Sequence, residues 1–100
     1  MNVQPLEHRE GSDLYAGEIS RAATATGSFR VIFCHDGFQW IIQRLTRSIG
    51  GPRSMAWRAV SYLTTREVLE RLWAARTGTL PPPAILALPP RIVKRQQASR

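Results

Sequence analysis

A turn signal between two apolar runs sets the strongest limit on how this chain folds. Asp36 and Gly37 stand between a run of Phe, Val and Ile and a run of Phe, Trp and Ile. Gly adopts positive φ without steric cost and Asp tolerates it, so this dipeptide predicts a β-hairpin. With these two residues as the loop, Phe33 lies opposite Trp40, and the register of the whole hairpin follows.

The predicted register divides the hairpin residues between two faces, and a one-residue slip would exchange them. We expect the aromatic face to be the buried one, and its members are Phe29, Val31, Phe33, His35, Phe38, Trp40, Ile42 and Arg44. The opposite face mixes polar and apolar residues, namely Arg30, Ile32, Cys34, Gln39, Ile41 and Gln43.

Residues 57–63, rich in Val, Tyr and Trp, predict a third strand. Alternation along it directs Leu63 inward with Trp57, and Arg58 and Tyr62 outward. A capping box starting at Thr64 predicts a helix that follows directly and ends at Gly78. Its Leu and Trp residues form one stripe, which predicts packing on the aromatic sheet face.

The predicted fold is therefore α+β, a three-stranded antiparallel sheet packed on one C-terminal helix. Residues 29–78 form this domain, since all Trp and Phe of the chain lie within it. Residues 1–28 lack Trp and Phe and predict a mobile acidic arm, in which Leu14-Tyr15 is the candidate for a short ordered piece. Residues 79–100 form a Pro-rich segment with a basic tail, and Ile85, Leu86 or Ile92 either packs back on the domain or meets a partner.

Charge is unevenly distributed along the chain. Residues 1–28 hold two arginines against four acids, a net charge of −2, whereas residues 29–100 hold twelve basic residues against three acids, a net of +9. Thirteen of the fourteen basic residues are Arg, whose planar fork suits phosphates and guanine edges. This bias favours a polyanionic partner, although GC-rich codon usage explains an Arg-rich chain equally well.

Candidate contact residues lie on the mixed sheet face and around it. Arg, Gln and Tyr are types that bond to phosphates and base edges. The predicted nucleic-acid-binding set is Arg30, Gln39, Gln43, Arg44, Arg47, Arg53, Arg58 and Tyr62. Two other interpretations remain for this face: an idle solvated surface, as antiparallel sheets often have, and a protein-binding patch that uses its apolar members.

The segments 29–44 and 57–65 resemble small alphaproteobacterial proteins of plasmids and integrative elements, a group that implies no known activity. The order of three strands and a helix is also similar to the DNA-binding domains of plant ethylene-response factors and phage integrase arms. That similarity implies a sheet lying in the major groove, with Arg and Trp touching bases and phosphates. This chain departs from the pattern because its outer face also carries Ile32, Ile41 and Val60.

Catalysis and metal binding find little support in the residues. Cys34 is the only cysteine, so no intramolecular disulfide forms and the chain suits a reducing cytoplasm. His35 follows it directly, but neighbours on a strand point to opposite faces and form no dyad. Two His and one Cys are too few for a structural zinc site. We therefore expect no enzyme activity, no metal and no cofactor.

The apolar runs are too short to span a bilayer, and no signal peptide is recognisable at the start. The function expected from the sequence is DNA binding through the sheet face, without a membrane role. The alternative is a protein inhibitor or adaptor from a mobile element, for example one that blocks a host CRISPR complex. A purely structural or assembly role ranks third.

Overall fold

The computed structural model describes residues 8–47 and 55–93. They form a four-stranded antiparallel sheet and two helices, an α+β fold in which strands adjacent in sequence are neighbours in the sheet. The elements are β1 (Glu18–Thr24), β2 (Gly27–Phe33), β3 (Trp40–Arg47), β4 (Met55–Leu63), α1 (Arg66–Thr77) and α2 (Pro83–Leu86).

The β2–β3 hairpin has the predicted register. Phe33 pairs with Trp40, and the pairing continues to Phe29 and Arg44. The connection is longer than the predicted two-residue loop, because six residues, 34–39, lie between β2 and β3. Within it the Gly37 amide donates to the Cys34 carbonyl at 2.9 Å. Gly37 has the expected positive φ, 79°. Phe38, predicted to be buried, lies in this loop and is 55% exposed, so that prediction is wrong.

The core lies between the sheet and α1. Trp40 and Trp73 are both fully buried, as predicted from the aromatic face and the helical stripe. Among the described residues, neither indole N–H finds a hydrogen-bond acceptor. The buried members of this core are Phe29, Val31, Trp40, Ile42, Leu63, Leu69, Trp73 and Ile85.

Helix α1 begins one residue later than predicted. Its N-cap is Thr65 and not Thr64. The Thr65 hydroxyl accepts from the Val68 amide at 3.4 Å. The Thr64 carbonyl instead accepts from the Ile92 amide at 2.8 Å, so the chain stays extended through Thr65. Gly78 ends the helix in the left-handed conformation, as predicted, with φ 72°.

A fourth strand, β1, is the first correction to the predicted architecture. Composition predicts a mobile arm over residues 1–28, but β1 pairs with β2 along its length, and Tyr15 is only 8% exposed. Tyr15 packs on Ile32 and Ile41, on the sheet face away from α1. Residues 8–28 are therefore a packed part of the domain. Strand β1 pairs with the free edge of β2, and the segment before β1 covers the sheet face away from α1.

Strand β4 contains a bulge that reverses its faces. Ile42 pairs with Ser61 but Gln43 pairs with Ala59, so Val60 is the extra residue. A bulge of one residue moves every side chain beyond it to the opposite face. Trp57 therefore lies on the face away from α1, and Arg58 lies on the α1 side. The sequence predicts the reverse for both, because strict alternation assumes an unbroken strand.

The Pro-rich segment docks on the domain over the described residues. Ile85 in α2 is fully buried in the main core. The Arg66 amide donates to the Pro90 carbonyl at 2.9 Å, and the Arg66 guanidinium donates to the Leu88 carbonyl at 2.7 Å. The sequence left open whether this segment packs back on the domain or meets a partner, and residues 80–92 pack back on the domain. No helix in the described part of the chain is long and apolar enough to cross a membrane.

Candidate nucleic-acid interface

Two of the eight predicted contact residues, Arg30 and Gln43, are buried. Arg30 has no exposed surface and Gln43 is 2% exposed. The Arg30 guanidinium donates to Gln43 Oε1 at 2.6 Å and to the carbonyls of Glu10 and Ser12 at 2.8 Å each. Gln43 Nε2 donates to the same Glu10 carbonyl at 2.9 Å. The prediction that both side chains lie on an open face is wrong, because the chain preceding β1 covers that face.

Trp57 packs against Arg30 and links it to neighbouring charged side chains. The Arg30 guanidinium carbon lies 4.5 Å from the centre of the Trp57 ring, and that of Arg21 lies 5.2 Å from it, both within cation–π range. The indole N–H donates to Asp13 Oδ1 at 3.0 Å. Glu18 joins both arginines, accepting from Arg21 at 2.6 Å and from Arg30 at 2.9 Å. We call Asp13, Glu18, Arg21, Arg30 and Trp57 the Arg30 cluster.

The charges of the Arg30 cluster balance one another. The pKa of Asp13 is lowered, chiefly by the hydrogen bond from the Trp57 indole and then by Arg21. Burial raises the pKa of Glu18, but the hydrogen bonds from Arg21 and Arg30 outweigh it and the net shift is downward. Burial lowers the pKa of Arg30, although Glu18 opposes this. Two carboxylates thus remain ionised at neutral pH beside two guanidiniums, so this cluster presents no net charge to a polyanion.

Arg44 and Arg58 have a different environment. Both are exposed, and they pair directly across β3 and β4 on the α1 side of the sheet. Like charges directly opposite on a sheet are destabilising. Within the described chain neither residue forms an ion pair that would offset this repulsion. The Arg44 guanidinium lies 5.9 Å from the centre of the Phe29 ring and donates to the Thr26 carbonyl at 3.2 Å.

A third arginine, absent from the predicted set, lies nearby. Arg76 in the last turn of α1 donates from Nη2 to the Val60 carbonyl and from Nε to Ser61 Oγ, both at 2.8 Å. Val60 and Ser61 follow Arg58 closely along β4, so the packing of α1 brings Arg76 to the same region. The sequence offers one local signal for Arg76, because basic residues are favoured in the last turn of a helix. We call Arg44, Arg58 and Arg76 the arginine patch.

The other predicted contact residues do not join this patch. Tyr62 is 62% exposed but pairs with Ile41 on the opposite face of the sheet. Gln39 is half-buried beside the β2–β3 loop. Arg47 is the last residue of β3 and its side chain lies outside the described residues, as does the whole of Arg53. Of the predicted residues that the structure describes, Arg44 and Arg58 lie together in the exposed patch, and Arg30 and Gln43 lie together beneath the segment before β1.

Cys34 lies where the β2–β3 loop begins, and its thiol is used within that loop. Its Sγ accepts from the amides of Phe38 and Gln39, each at 3.2 Å. These contacts fit a structural role in closing the turn. Among the described residues, no group of three or more His, Cys, Asp or Glu side chains converges in a way that would hold a metal ion.

A groove of about 530 Å³ separates the start of α1 from the docked C-terminal segment. Its lining residues are Thr65, Arg66, Glu67, Glu70, Pro90 and Arg91. Basic and acidic residues alternate here, and Arg66 Nε already pairs with Glu70 at 3.1 Å. This mixture of charges makes the groove a weaker candidate for a polyanion than the arginine patch.

Comparison with known proteins places no relative beside this chain: no family model matches it, and neither the curated proteins nor the solved structures contain a match.

Proposed function

We propose that this protein binds nucleic acid, DNA in the first place, through phosphate contacts made by the arginine patch. The observation that supports this most is the direct pairing of Arg44 with Arg58 across β3 and β4. A phosphate bound at this pair of positions would be attracted by both charges, and the planar fork of a guanidinium suits a phosphate. The patch therefore has a physical reason to hold an anion, which the Arg30 cluster lacks.

The placement of acidic residues supports the same proposal. Glu10, Asp13 and Glu18 lie on the sheet face opposite the patch or at its rim, where they bond to Arg30, Arg21 and Trp57 or to the β2–β3 loop. The remaining described acids are in that loop or in the first half of α1, and they are Asp36, Glu67 and Glu70. The end of the sheet that carries the patch is left strongly positive in a chain of net charge +7.

Contacts of this type fix a protein on nucleic acid without reading its sequence. The proposed activity is therefore sequence-independent binding, and the cytoplasm, where a single free thiol persists, is the proposed compartment. Encoding by a plasmid or integrative element, which the resemblance in the sequence implies, agrees with a small DNA-binding protein.

Salt dependence tests the proposal directly. Binding of the full-length chain to a mixed-sequence DNA duplex is measured by fluorescence anisotropy over a range of salt concentrations. We expect affinity to fall steeply with salt, with a log–log slope of about −0.9 per neutralised phosphate. The double variant Arg44→Gln, Arg58→Gln should flatten that slope by about 1.8, because two phosphate contacts are lost.

The matched control is the double variant Arg71→Gln, Arg91→Gln, which removes the same charge from exposed positions outside the patch. It should keep a slope close to that of the unaltered protein. The proposal fails if the unaltered protein does not bind DNA at low salt, or if the control variant loses as much affinity as the patch variant.

A protein partner is the second candidate function, supported by exposed aromatic residues at the other end of the sheet. Phe38 is 55% exposed and Tyr62 is 62% exposed, and aromatic side chains are enriched in protein interfaces. An inhibitor or adaptor acting on a host complex would use this end. A pull-down before and after nuclease treatment separates the two functions, since bands that persist after nuclease identify a protein target.

A further inference from the structure

One residue in the β1–β2 turn joins the sheet part of the arginine patch to the helix part. The Thr26 carbonyl accepts from Arg44 Nη2 at 3.2 Å. The Thr26 hydroxyl donates to the backbone carbonyl of Arg76 at 3.1 Å. The side chain of Arg44 also passes close to the turn, because a Cβ built on Gly27 would lie 3.2 Å from Arg44 Nε. Thr26 thus contacts two of the three residues of the patch.

Two guanidiniums of the patch are held in place by the protein. Arg44 is held by the Thr26 carbonyl and the Phe29 ring, and Arg76 by the Val60 carbonyl and the Ser61 hydroxyl. Donors fixed before binding lose less conformational entropy when a ligand arrives, and they favour a ligand whose acceptors have matching fixed positions. Phosphates of a duplex have such fixed positions, whereas those of a single strand must be ordered at the moment of binding.

The patch also lacks what single-strand binding requires. Proteins that bind single strands add aromatic side chains on which successive bases stack. Among the described residues, the well-exposed aromatics are Phe38 and Tyr62, which lie at the other end of the sheet. Phe29, beneath Arg44, is only 4% exposed. The patch therefore offers phosphate contacts without a stacking surface.

We propose that the arginine patch prefers duplex over single-stranded nucleic acid, and that Thr26 is the positioning residue that sets this preference. The inference rests on the proposed function. Thr26 ties the β1–β2 turn to the end of α1, so that Arg44 on the sheet and Arg76 on the helix keep a constant separation. Without the hydroxyl contact, the Arg76 side chain still joins α1 to β4, but the turn that carries the Arg44 contact loses its direct bond to the helix end. The separation of the two guanidiniums is then less restrained.

The test compares affinities for a duplex and for one of its strands at a single low salt concentration, using the full-length chain. The unaltered protein should bind the duplex more tightly. Thr26→Val removes the hydroxyl and no charge, so duplex affinity should fall by about fivefold, the equivalent of one hydrogen bond. Single-strand affinity should change by less than about twofold, since a flexible strand follows the displaced arginines.

Two further variants keep the result interpretable. Thr26→Ser restores a hydroxyl and should restore the duplex preference. Thr64→Val makes the same change at an exposed position that follows β4 at the other end of the sheet, so it should leave the preference intact. Thermal unfolding of each variant verifies that the domain is folded.

The outcomes distinguish this inference from the proposed function. If the unaltered protein binds neither duplex nor single strand at low salt, the proposed function itself is contradicted. Equal affinity of the unaltered protein for duplex and strand overturns the preference while binding stands. A Thr26→Val variant that weakens binding of both ligands equally or of neither, or a Thr64→Val variant with a loss of the same size, overturns the role of Thr26.

Discussion

The arginines of this chain differ in burial, and their contacts differ accordingly. Arg30 has no exposed surface and spends its donors on Gln43, Glu18 and two backbone carbonyls. Arg44 and Arg58 are exposed and face each other without an acid between them. The buried Arg30 guanidinium bonds to several parts of the domain and so stabilises it, whereas the charges of Arg44 and Arg58 remain exposed to solvent. Residue type alone does not distinguish these roles.

Replacement of Arg30 by Met tests the structural role. Removing one partner of a buried ion pair typically costs about 3–5 kcal/mol, since the remaining polar groups lose their partners. Arg30→Met removes the donor that the Ser12 carbonyl, the Gln43 amide oxygen and the Glu18 carboxylate share, and the Glu10 carbonyl keeps only its bond from Gln43. We expect a fall of that size in the free energy of unfolding, measured by urea denaturation.

Arg44→Gln is the matched control, because exposed charges contribute little to stability. It should unfold at nearly the same urea concentration as the unaltered protein. An Arg30→Met variant with an unchanged midpoint would mean that the segment before β1 is not held on the sheet by this side chain.

Two elements are irregular, and the irregularity in β4 changes which side chains reach the patch. The bulge at Val60 turns Arg58 to the α1 side, where it meets Arg44. The late start of α1 has a similar long-range cause: the bridge between Thr65 and Arg91 extends the strand-like pairing by one residue before the helix begins. In both cases a pairing partner, and not local propensity, shifts the element by one position.

The cap of α1 is testable with two adjacent threonines. Thr65 accepts the Val68 amide as N-cap, so Thr65→Ala should lower stability by about 1 kcal/mol. Thr64 is exposed and contributes its backbone carbonyl to Ile92, which an Ala side chain preserves. Thr64→Ala should therefore stay within about 0.5 kcal/mol of the unaltered protein. Chemical denaturation compares the two, and the reverse order would restore the cap at Thr64.

The complete domain is a sheet covered on both faces by the two ends of the chain. Helices α1 and α2 cover one face, and the segment before β1 covers the other. Charge follows the same division: the balanced Arg30 cluster lies under the N-terminal cover, and the unbalanced patch lies at the end of the sheet on the helix side. A domain of this size needs such covers, because three strands and one helix bury too little surface for comfortable stability.

Docking of the Pro-rich segment yields a prediction with an adjacent control. Ile85 is fully buried in the main core, whereas Leu86 is 50% exposed. Ile85→Ala should cost about 2–5 kcal/mol in the free energy of unfolding, the usual range for buried aliphatic truncations. Leu86→Ala should change it by less than about 0.5 kcal/mol. Equal effects of the two substitutions in thermal or urea unfolding would contradict the docked position of α2.

Several parts of the fold follow from local sequence. The Asp36-Gly37 dipeptide is enough to set the pairing of Phe33 with Trp40, because turn conformation depends on neighbouring residues. Gly78 ends α1 for the same local reason. Burial of Trp40 and Trp73 follows from periodicity, since each lies on the apolar side of its own element. Arg44 and Arg58 were recognisable as exposed basic residues near the sheet.

Contacts between distant segments account for what the sequence did not reveal. Strand β1 and its neighbouring segment have the composition of an arm, yet the Glu10 carbonyl accepts from Arg30 and Gln43, 20 and 33 residues away. Arg76 reaches the patch only because α1 packs on β4. Neither arrangement leaves a periodic or turn signal, since a hydrogen bond between remote residues depends on where the chain returns in space. Local sequence therefore determines the hairpin and the end of the helix, and tertiary packing determines which arginines are buried and which are exposed.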